Sequence, residues 1–104
     1  MARKFVITSR GVLRFGEVRM HKDLLQADDI CYGGGFYEFD YGGNRLILTG
    51  ASYDFGTPRW DRLQGFSIQL QIPSEYRGMA IIYRYDDQTI EPLTLTKEFE
   101  ISYY

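Results

Sequence analysis

The chain has 104 residues, 44% hydrophobic and 25% charged, a balance typical of one globular domain with its own core. Its net charge of −2 lacks the basic excess on which non-specific nucleic-acid binding depends. The single cysteine, Cys31, cannot form an internal disulfide, the N-terminus has no leader-like apolar region, and no apolar run has the length of a membrane helix. We therefore expect a cytoplasmic protein that does not enter a membrane.

The first half of the chain predicts four strands and a short helix. Runs rich in aromatic and β-branched residues, typical of strands, occupy residues 4–8, 12–20, 35–41 and 45–49. Between the second and third runs, we expect one short helix near residues 21–27. Glycine and asparagine at 42–44 predict a tight turn, because both tolerate positive φ, and this turn makes a hairpin of the last two strands.

The glycines at residues 33–35 raise the question of a phosphate-binding loop. Such a loop places its glycines between a strand and the N-terminus of a helix. Here a strand follows the glycines instead, and the chain contains no Gly-Lys-Ser/Thr triplet. The pattern therefore predicts an entry into a sheet, and the alternative is that these glycines let a ligand or a partner backbone come close.

The second half predicts a long loop followed by further strands. The loop covers residues 50–64, with one helical turn after Pro58, and strands follow at 65–72, 79–85, 90–96 and 98–104. The run 65–72 alternates most regularly, with four apolar side chains on one face. Together the runs predict an all-β fold, a small antiparallel sandwich or partly open barrel of about seven to eight short strands, in a single domain over 1–104.

The segment 52–60 is the candidate binding site, because it combines the only tryptophan with an arginine, an acid and two more aromatic residues in an irregular region. Loops on a rigid sheet often carry function, and Trp, Tyr and Arg are enriched at binding hot spots. We predict that a ligand or a partner binds to Tyr53, Asp54, Arg59, Trp60 and His21. The alternative is that the aromatic side chains of this segment fold inward and plug an open end of the sheet.

Nothing in the chain predicts a catalytic residue, a metal site or a cofactor. His21 is the only histidine, so a serine triad or a pairing with Cys31 would have to use it. Tight transition-metal sites use several His or Cys ligands at recognised spacings, which are missing here. The tyrosines at 37, 41, 83, 85, 103 and 104 fall in or beside strands, where cross-strand packing is favoured over stacking on sugars or bases.

Three functions stay open. A non-enzymatic binding or protein-interaction module fits best, with an unknown protein or small ligand as partner, and an aromatic patch or a strand edge would also suit a homodimer. The first alternative is a small hydrolase or lyase using Glu38 and Asp40, neighbours on one strand face, provided that either is buried in a cleft. The second is a nucleic-acid-associated protein, although nucleic acid is not the expected partner, whose cations would have to converge on one face: Arg3, Lys4, Arg10, Arg14 and Arg19.

Overall fold

The structure, a computed structural model, describes residues 1–50, 56–85 and 91–104. Within these ranges the strands are β1 (Ala2–Thr8), β2 (Leu13–Val18), β3 (Cys31–Asp40), β4 (Arg45–Thr49), β5 (Leu70–Ile72), β6 (Ala80–Arg84), β7 (Leu93–Thr94) and β8 (Ile101–Tyr103). The helical segments are the α-helices α1 (Trp60–Gly65) and α2 (Leu95–Glu98), and two 3₁₀ helices at His21–Leu24 and Ser74–Tyr76.

Two sheets contain these strands. The larger has the order β2-β1-β3-β4-β6-β7, with antiparallel pairing throughout except between β4 and β6, which run parallel. The smaller joins β5 and β8 in parallel. It is attached beside β2, where the N–H of Gln71 donates to the carbonyl of Gly11 at 2.9 Å. The predicted small β-rich fold is confirmed, and the parallel pairs make it mixed rather than purely antiparallel.

The strands of the first half lie where the residue pattern predicts them. β4 has the predicted bounds, whereas β3 begins earlier, at Cys31, so the glycines at 33–35 lie inside a strand. The predicted turn is present, with Asn44 at φ 51° and the N–H of Gly43 donating to Asp40 at 3.2 Å. The helix expected near 21–27 is a single 3₁₀ turn, His21–Leu24.

The predicted strand over 65–72 is wrong in its first half. α1 continues to Gly65, Phe66 is 74% exposed, and only Leu70–Ile72 pair as β5. Ser67 has a φ of 55°, a left-handed conformation that interrupts extended backbone. The alternation of apolar residues is therefore real in β5 but accidental before it, because the helix end and the turn present Phe66 to solvent.

The core lies against one face of the larger sheet, which we call the inner face. The strand registers place Phe5, Leu46, Leu48, Ile81 and Tyr83 on it, all buried. The opposite side of the core is filled from α1, β5, α2 and the residue after α2. The side chains are those of Trp60, Leu63, Leu70, Ile72, Leu95 and Phe99. Each fully buried side chain of this size contributes roughly 1.5–3 kcal/mol, so the two sheets are held together mainly by this contact.

Candidate functional site

Trp60, the centre of the predicted loop site, fills the core. Its side chain is 1% exposed, and its ring centroid lies 5.1 Å from that of Tyr83 and 6.2 Å from that of Phe99. Gly50 fits closely beside this group, since a Cβ there would lie 1.5 Å from the Tyr83 hydroxyl oxygen. The packing supports the inward-folding alternative for this part of the segment.

Arg59 lies on the surface next to this buried ring. Its guanidinium donates to the Asp61 carboxylate at 3.1 and 3.2 Å, and this hydrogen bonding raises the pKa of Arg59 and lowers the pKa of Asp61. Tyr53 and Asp54 lie outside the described residues. Arg59 is therefore paired with Asp61, and the predicted grouping of Arg59 with Tyr53 and Asp54 is not tested.

His21 is separated from Trp60 by the larger sheet. It is 4% exposed, and its Nε2 lies 2.8 Å from the carbonyl of Gly35. Its ring packs edge-on against Phe36, which points to the outer face of the sheet, whereas Trp60 packs against the inner face. The predicted combination of these two residues in one site is not formed.

The glycines at 33–35 serve contacts within the chain. A Cβ on Gly33 would lie 2.9 Å from several atoms of Pro58, so only glycine allows the segment before α1 to lie directly on β3. The N–H of Gly34 donates to the carbonyl of Gly56 at 3.2 Å. The close approach that these glycines permit is thus made by the chain's own backbone.

The two carboxylates of the hydrolase hypothesis lie in separate environments. Asp40 accepts hydrogen bonds from Arg45 at 2.5 and 3.0 Å, which lower the pKa of Asp40 and fasten the hairpin. Glu38 is exposed at the border of a depression of about 260 Å³ that Asp40 does not line, formed with Phe36, Tyr37 and Thr49. The carboxylate of Glu38 is thus open to solvent and is not enclosed in a cleft with Asp40.

The N-terminal cations are divided between the two faces of the larger sheet, with Lys4 and Arg14 on the outer face and Arg3 on the inner one. Arg3 lies on the inner face and pairs with Glu17 at 3.3 Å. Lys4 lies on the outer face, with its Nζ 5.9 Å from the Phe36 ring centroid. Arg14 and Arg10 both pair with one carboxylate, that of Asp29. The carboxylates of Glu17 and Asp29 thus neutralise two of the five charges.

A group of five aromatic rings lies at the end of the inner face where β1 begins; one ring is exposed, three are half-buried and that of Tyr76 is buried. We call it the aromatic surface and define it by Phe15, Tyr37, Phe39, Tyr41 and Tyr76. Residues 37, 39 and 41 share one face because side chains alternate along β3, whereas Phe15 comes from β2 and Tyr76 from the second 3₁₀ helix. Tyr41 is the outermost ring, 79% exposed.

The rings of the aromatic surface hold one another in place. Phe15 meets Tyr37 and Tyr76 edge-on, with centroids 5.3 and 5.1 Å apart, and Tyr37 meets Phe39 edge-on at 5.8 Å. Tyr41 stacks on Phe39 at 5.4 Å with 18° between the ring planes. Such pairs contribute about 0.5–1.5 kcal/mol beyond area burial, so the surface is preorganised.

Two phenols of the aromatic surface have raised pKa values. Burial raises the pKa of Tyr76 to about 12 and also raises the pKa of Tyr37. The negative charges of Glu17 and Glu75 act in the same direction on Tyr37, and Arg3 opposes them. Both hydroxyls are therefore protonated at physiological pH.

Charged side chains of both signs surround these rings. We call them the charged rim and define it by Arg3, Glu17, Glu75 and Arg77. The Arg3 guanidinium lies 5.6 Å from the Phe39 ring centroid, and that of Arg77 lies 4.3 Å from the Tyr103 centroid. Two cations and two anions give the rim no net charge.

The described ranges contain a further groove, between the end of α1 and α2. It has a volume of about 270 Å³ and is lined by Gln64, Ser67, Ile68, Glu98, Phe99 and Glu100. In residues 1–50, 56–85 and 91–104, no three His, Cys, Asp or Glu side chains are grouped as metal ligands. Over the same ranges, no helix is long and apolar enough to cross a membrane.

The aromatic surface differs from the loop site that the sequence favoured. The alternation of Tyr37, Phe39 and Tyr41 along one strand was a usable signal, and it predicted packing. No sequence pattern predicts that Phe15 and Tyr76 join this group, because their positions depend on which strands and turns become neighbours. No protein-family model, curated protein or solved structure matches the chain, so the function is argued from these residues.

Proposed function

We propose that the chain is a non-enzymatic protein-interaction module that binds its partner through the aromatic surface and the charged rim. The observation that carries this proposal is Tyr41, a ring 79% exposed to solvent and yet stacked on Phe39. Burial of this ring by a partner removes apolar area from water. Because Phe39 already orients the ring, little conformational freedom is lost on binding.

The composition around Tyr41 supports a protein partner. Tyrosine and arginine are among the side chains enriched at binding hot spots, and the Phe39 ring on which Tyr41 stacks has the Arg3 guanidinium 5.6 Å from its centroid. The charged rim offers both signs of charge, which favours a partner with matching charges and disfavours others. The exposure of Glu38 gives less support to a carboxylate enzyme, and the ion pairs of Arg3, Arg10 and Arg14 give less support to a nucleic-acid-associated protein.

Site-specific photo-cross-linking tests the proposal. Tyr41 is replaced by benzoylphenylalanine, and Phe66, which is 74% exposed on another part of the surface, serves as the matched control. On irradiation in the source cells, we expect a discrete cross-linked product from position 41 and none from position 66. Identical products from both positions, or none from position 41, would contradict the proposal.

Competition separates binding from accidental collision. An excess of the unlabelled wild-type chain should suppress the product from position 41. A Tyr41→Ser chain should compete at least about 10-fold more weakly, a loss equivalent to about 1.4 kcal/mol of binding free energy. Because Tyr41 is exposed and only its stack on Phe39 is lost, its replacement should lower the free energy of unfolding by no more than about 1.5 kcal/mol. Equal competition by both chains would count against the aromatic surface.

A further inference from the structure

Arg77 is a cation of the charged rim that has no anionic partner in the described ranges. Several other arginines there pair with carboxylates of the chain: Arg3, Arg10, Arg14, Arg45 and Arg59. Arg77 makes no ion pair and no side-chain hydrogen bond with residues 1–50, 56–85 or 91–104. Its guanidinium carbon lies over the ring of Tyr103, 4.3 Å from the centroid, and the residue is exposed. The N–H donors of this guanidinium therefore remain open to a group from outside the chain.

The contact with Tyr103 holds the guanidinium in place. Tyr103 itself is fixed in β8 by its pairing with Ile72. A guanidinium over a tyrosine ring is attracted by the negative charge of the ring face, so the arginine side chain gives up rotamer freedom already in the free protein. An anion that binds to Arg77 thus meets a donor group that is already ordered, which lowers the entropic cost of binding.

The backbone around Arg77 is tied to the hairpin that carries Tyr41. The N–H of Arg77 donates to the carbonyl of Ser74 at 3.1 Å. The carbonyl of the next residue, Gly78, accepts a hydrogen bond from the side-chain amide of Asn44 at 3.0 Å. The N–H of Asn44 in turn donates to the carbonyl of Tyr41 at 3.3 Å. These hydrogen bonds fix the position of Arg77 relative to Tyr41.

We propose that the partner that covers Tyr41 presents an aspartate or glutamate carboxylate to Arg77, and that this contact determines specificity for the partner. This inference rests on the proposed function, because Arg77 belongs to the charged rim. A guanidinium has parallel N–H donors that match the two oxygens of a carboxylate, and such a charge-assisted pair adds orientation as well as affinity. Arg3 is less suited to this role, because its guanidinium already donates to Glu17 at 3.3 Å.

The charges near Arg77 favour a carboxylate over a phosphate. A phosphorylated side chain carries about −1.5 to −2 charges and is typically bound by a cluster of arginines. Among residues 75–79, Arg77 is the only cation and Glu75 is an anion. Glu75 would repel a doubly charged group more strongly than a singly charged one. A single carboxylate is therefore the better match.

Competition in the cross-linking assay tests this inference with the full chain. A chain with benzoylphenylalanine at position 41 is irradiated in a lysate of the source cells, and unlabelled chains compete for its product. We expect Arg77→Gln to compete at least about 10-fold more weakly than the wild type, because it loses the charge and the paired donors. Higher salt should weaken competition by the wild type more than competition by Arg77→Gln.

Arg62→Gln is the matched control for this comparison. Arg62 is also exposed, and it has no carboxylate partner in the described ranges. Its replacement removes the same charge from another part of the surface, so this variant should compete within about 2-fold of the wild type. Circular dichroism checks that both variants are folded.

A double-mutant cycle identifies the carboxylate. Mass spectrometry of the product from position 41 gives the partner and its linked segment, in which each Asp and Glu is changed to Asn or Gln. One of these changes should weaken binding of the wild-type chain about 10-fold and leave binding of Arg77→Gln almost unchanged, because both variants remove the same pair. Treatment of the lysate with a phosphatase should not reduce the product.

The inference is overturned if Arg77→Gln competes as well as the wild type, if Arg62→Gln loses as much, or if no carboxylate of the partner couples to Arg77. Loss of the product after phosphatase treatment would assign the anion to a phosphorylated side chain, and the inference would also be wrong. In each of these cases, a product from position 41 that the wild type suppresses still supports the proposed function. Absence of that product contradicts the proposed function and this inference together.

Discussion

Trp60 shows why residue type alone does not separate a binding site from a core. A tryptophan near an arginine in an irregular segment is typical of a hot spot, yet the same large apolar ring is equally useful for filling a core. Which use applies depends on residues elsewhere in the chain. Gly33 lets Pro58 pack directly on β3, and Gly50 leaves space for the side chain of Tyr83. Sequence reasoning finds the glycines but not what they contact.

The burial of Trp60 leads to a stability prediction. We expect Trp60→Ala to lower the free energy of unfolding by about 3–5 kcal/mol, because it leaves a large cavity between the two sheets. The neighbouring variant Arg59→Ala, at an exposed position, should leave it unchanged within error. Urea denaturation of both variants measures this. A stable Trp60→Ala chain that has lost partner binding would favour the loop site instead.

At the scale of elements, local pattern predicts strands better than it predicts their partners. The hairpins β1–β2 and β3–β4 have short turns, and β4 has its predicted bounds. The parallel pairs β4–β6 and β5–β8 join residues far apart in the sequence, and no local signal encodes them. The strand predicted over 65–72 was wrong in its first half, because the apolar residues in a helix end and the turn after it have the same spacing as in a strand.

One ion pair fixes the segment between β2 and β3. The carboxylate of Asp29, whose side chain is 1% exposed, accepts hydrogen bonds from Arg14 at 2.7 and 3.2 Å and from the N–H of Gln26 at 2.8 Å. The hydrogen bonds from Arg14 lower the pKa of Asp29. A charge-assisted contact of this kind contributes about 1.5–3 kcal/mol, so it links β2 to the chain that leads into β3.

This ion pair should make stability depend on pH in the acid range. An acid whose pKa is lower in the folded state stabilises the fold above its unfolded pKa, about 3.9, and that contribution is lost as the pH falls toward the folded value. We expect Asp29→Asn to lower the unfolding free energy by about 1–3 kcal/mol at pH 7 and by progressively less below pH 4. The control is Asp28→Asn at the exposed neighbouring position. A loss of unfolding free energy in Asp29→Asn that does not change with pH would contradict the role given to the Asp29 carboxylate.

At the scale of the whole molecule, the two sheets share one core. Trp60 from α1 packs against Tyr83 of the larger sheet and against Phe99, which precedes β8 of the smaller one. A small domain built around one core unfolds as a unit, because neither layer can keep its apolar face covered alone.

This shared core predicts a single unfolding transition. Trp60 is the only tryptophan, so its fluorescence reports the contact between the layers, whereas far-ultraviolet circular dichroism reports the strands. We expect both signals to give the same denaturant midpoint at a concentration where the chain is monomeric. A fluorescence change that precedes the loss of strand signal would mean that the smaller sheet detaches first.

The parallel contact between β4 and β6 also sets an order of events during translation. The N-terminal strands β1 to β4 can pair as soon as Thr49 has left the ribosome, but the neighbour that covers the other side of β4 is still unsynthesised. Until Ala80–Arg84 follow, the nascent chain holds the apolar segment Leu46–Leu48 at an open strand edge. Such an edge is where a chaperone would be needed and where aggregation would begin.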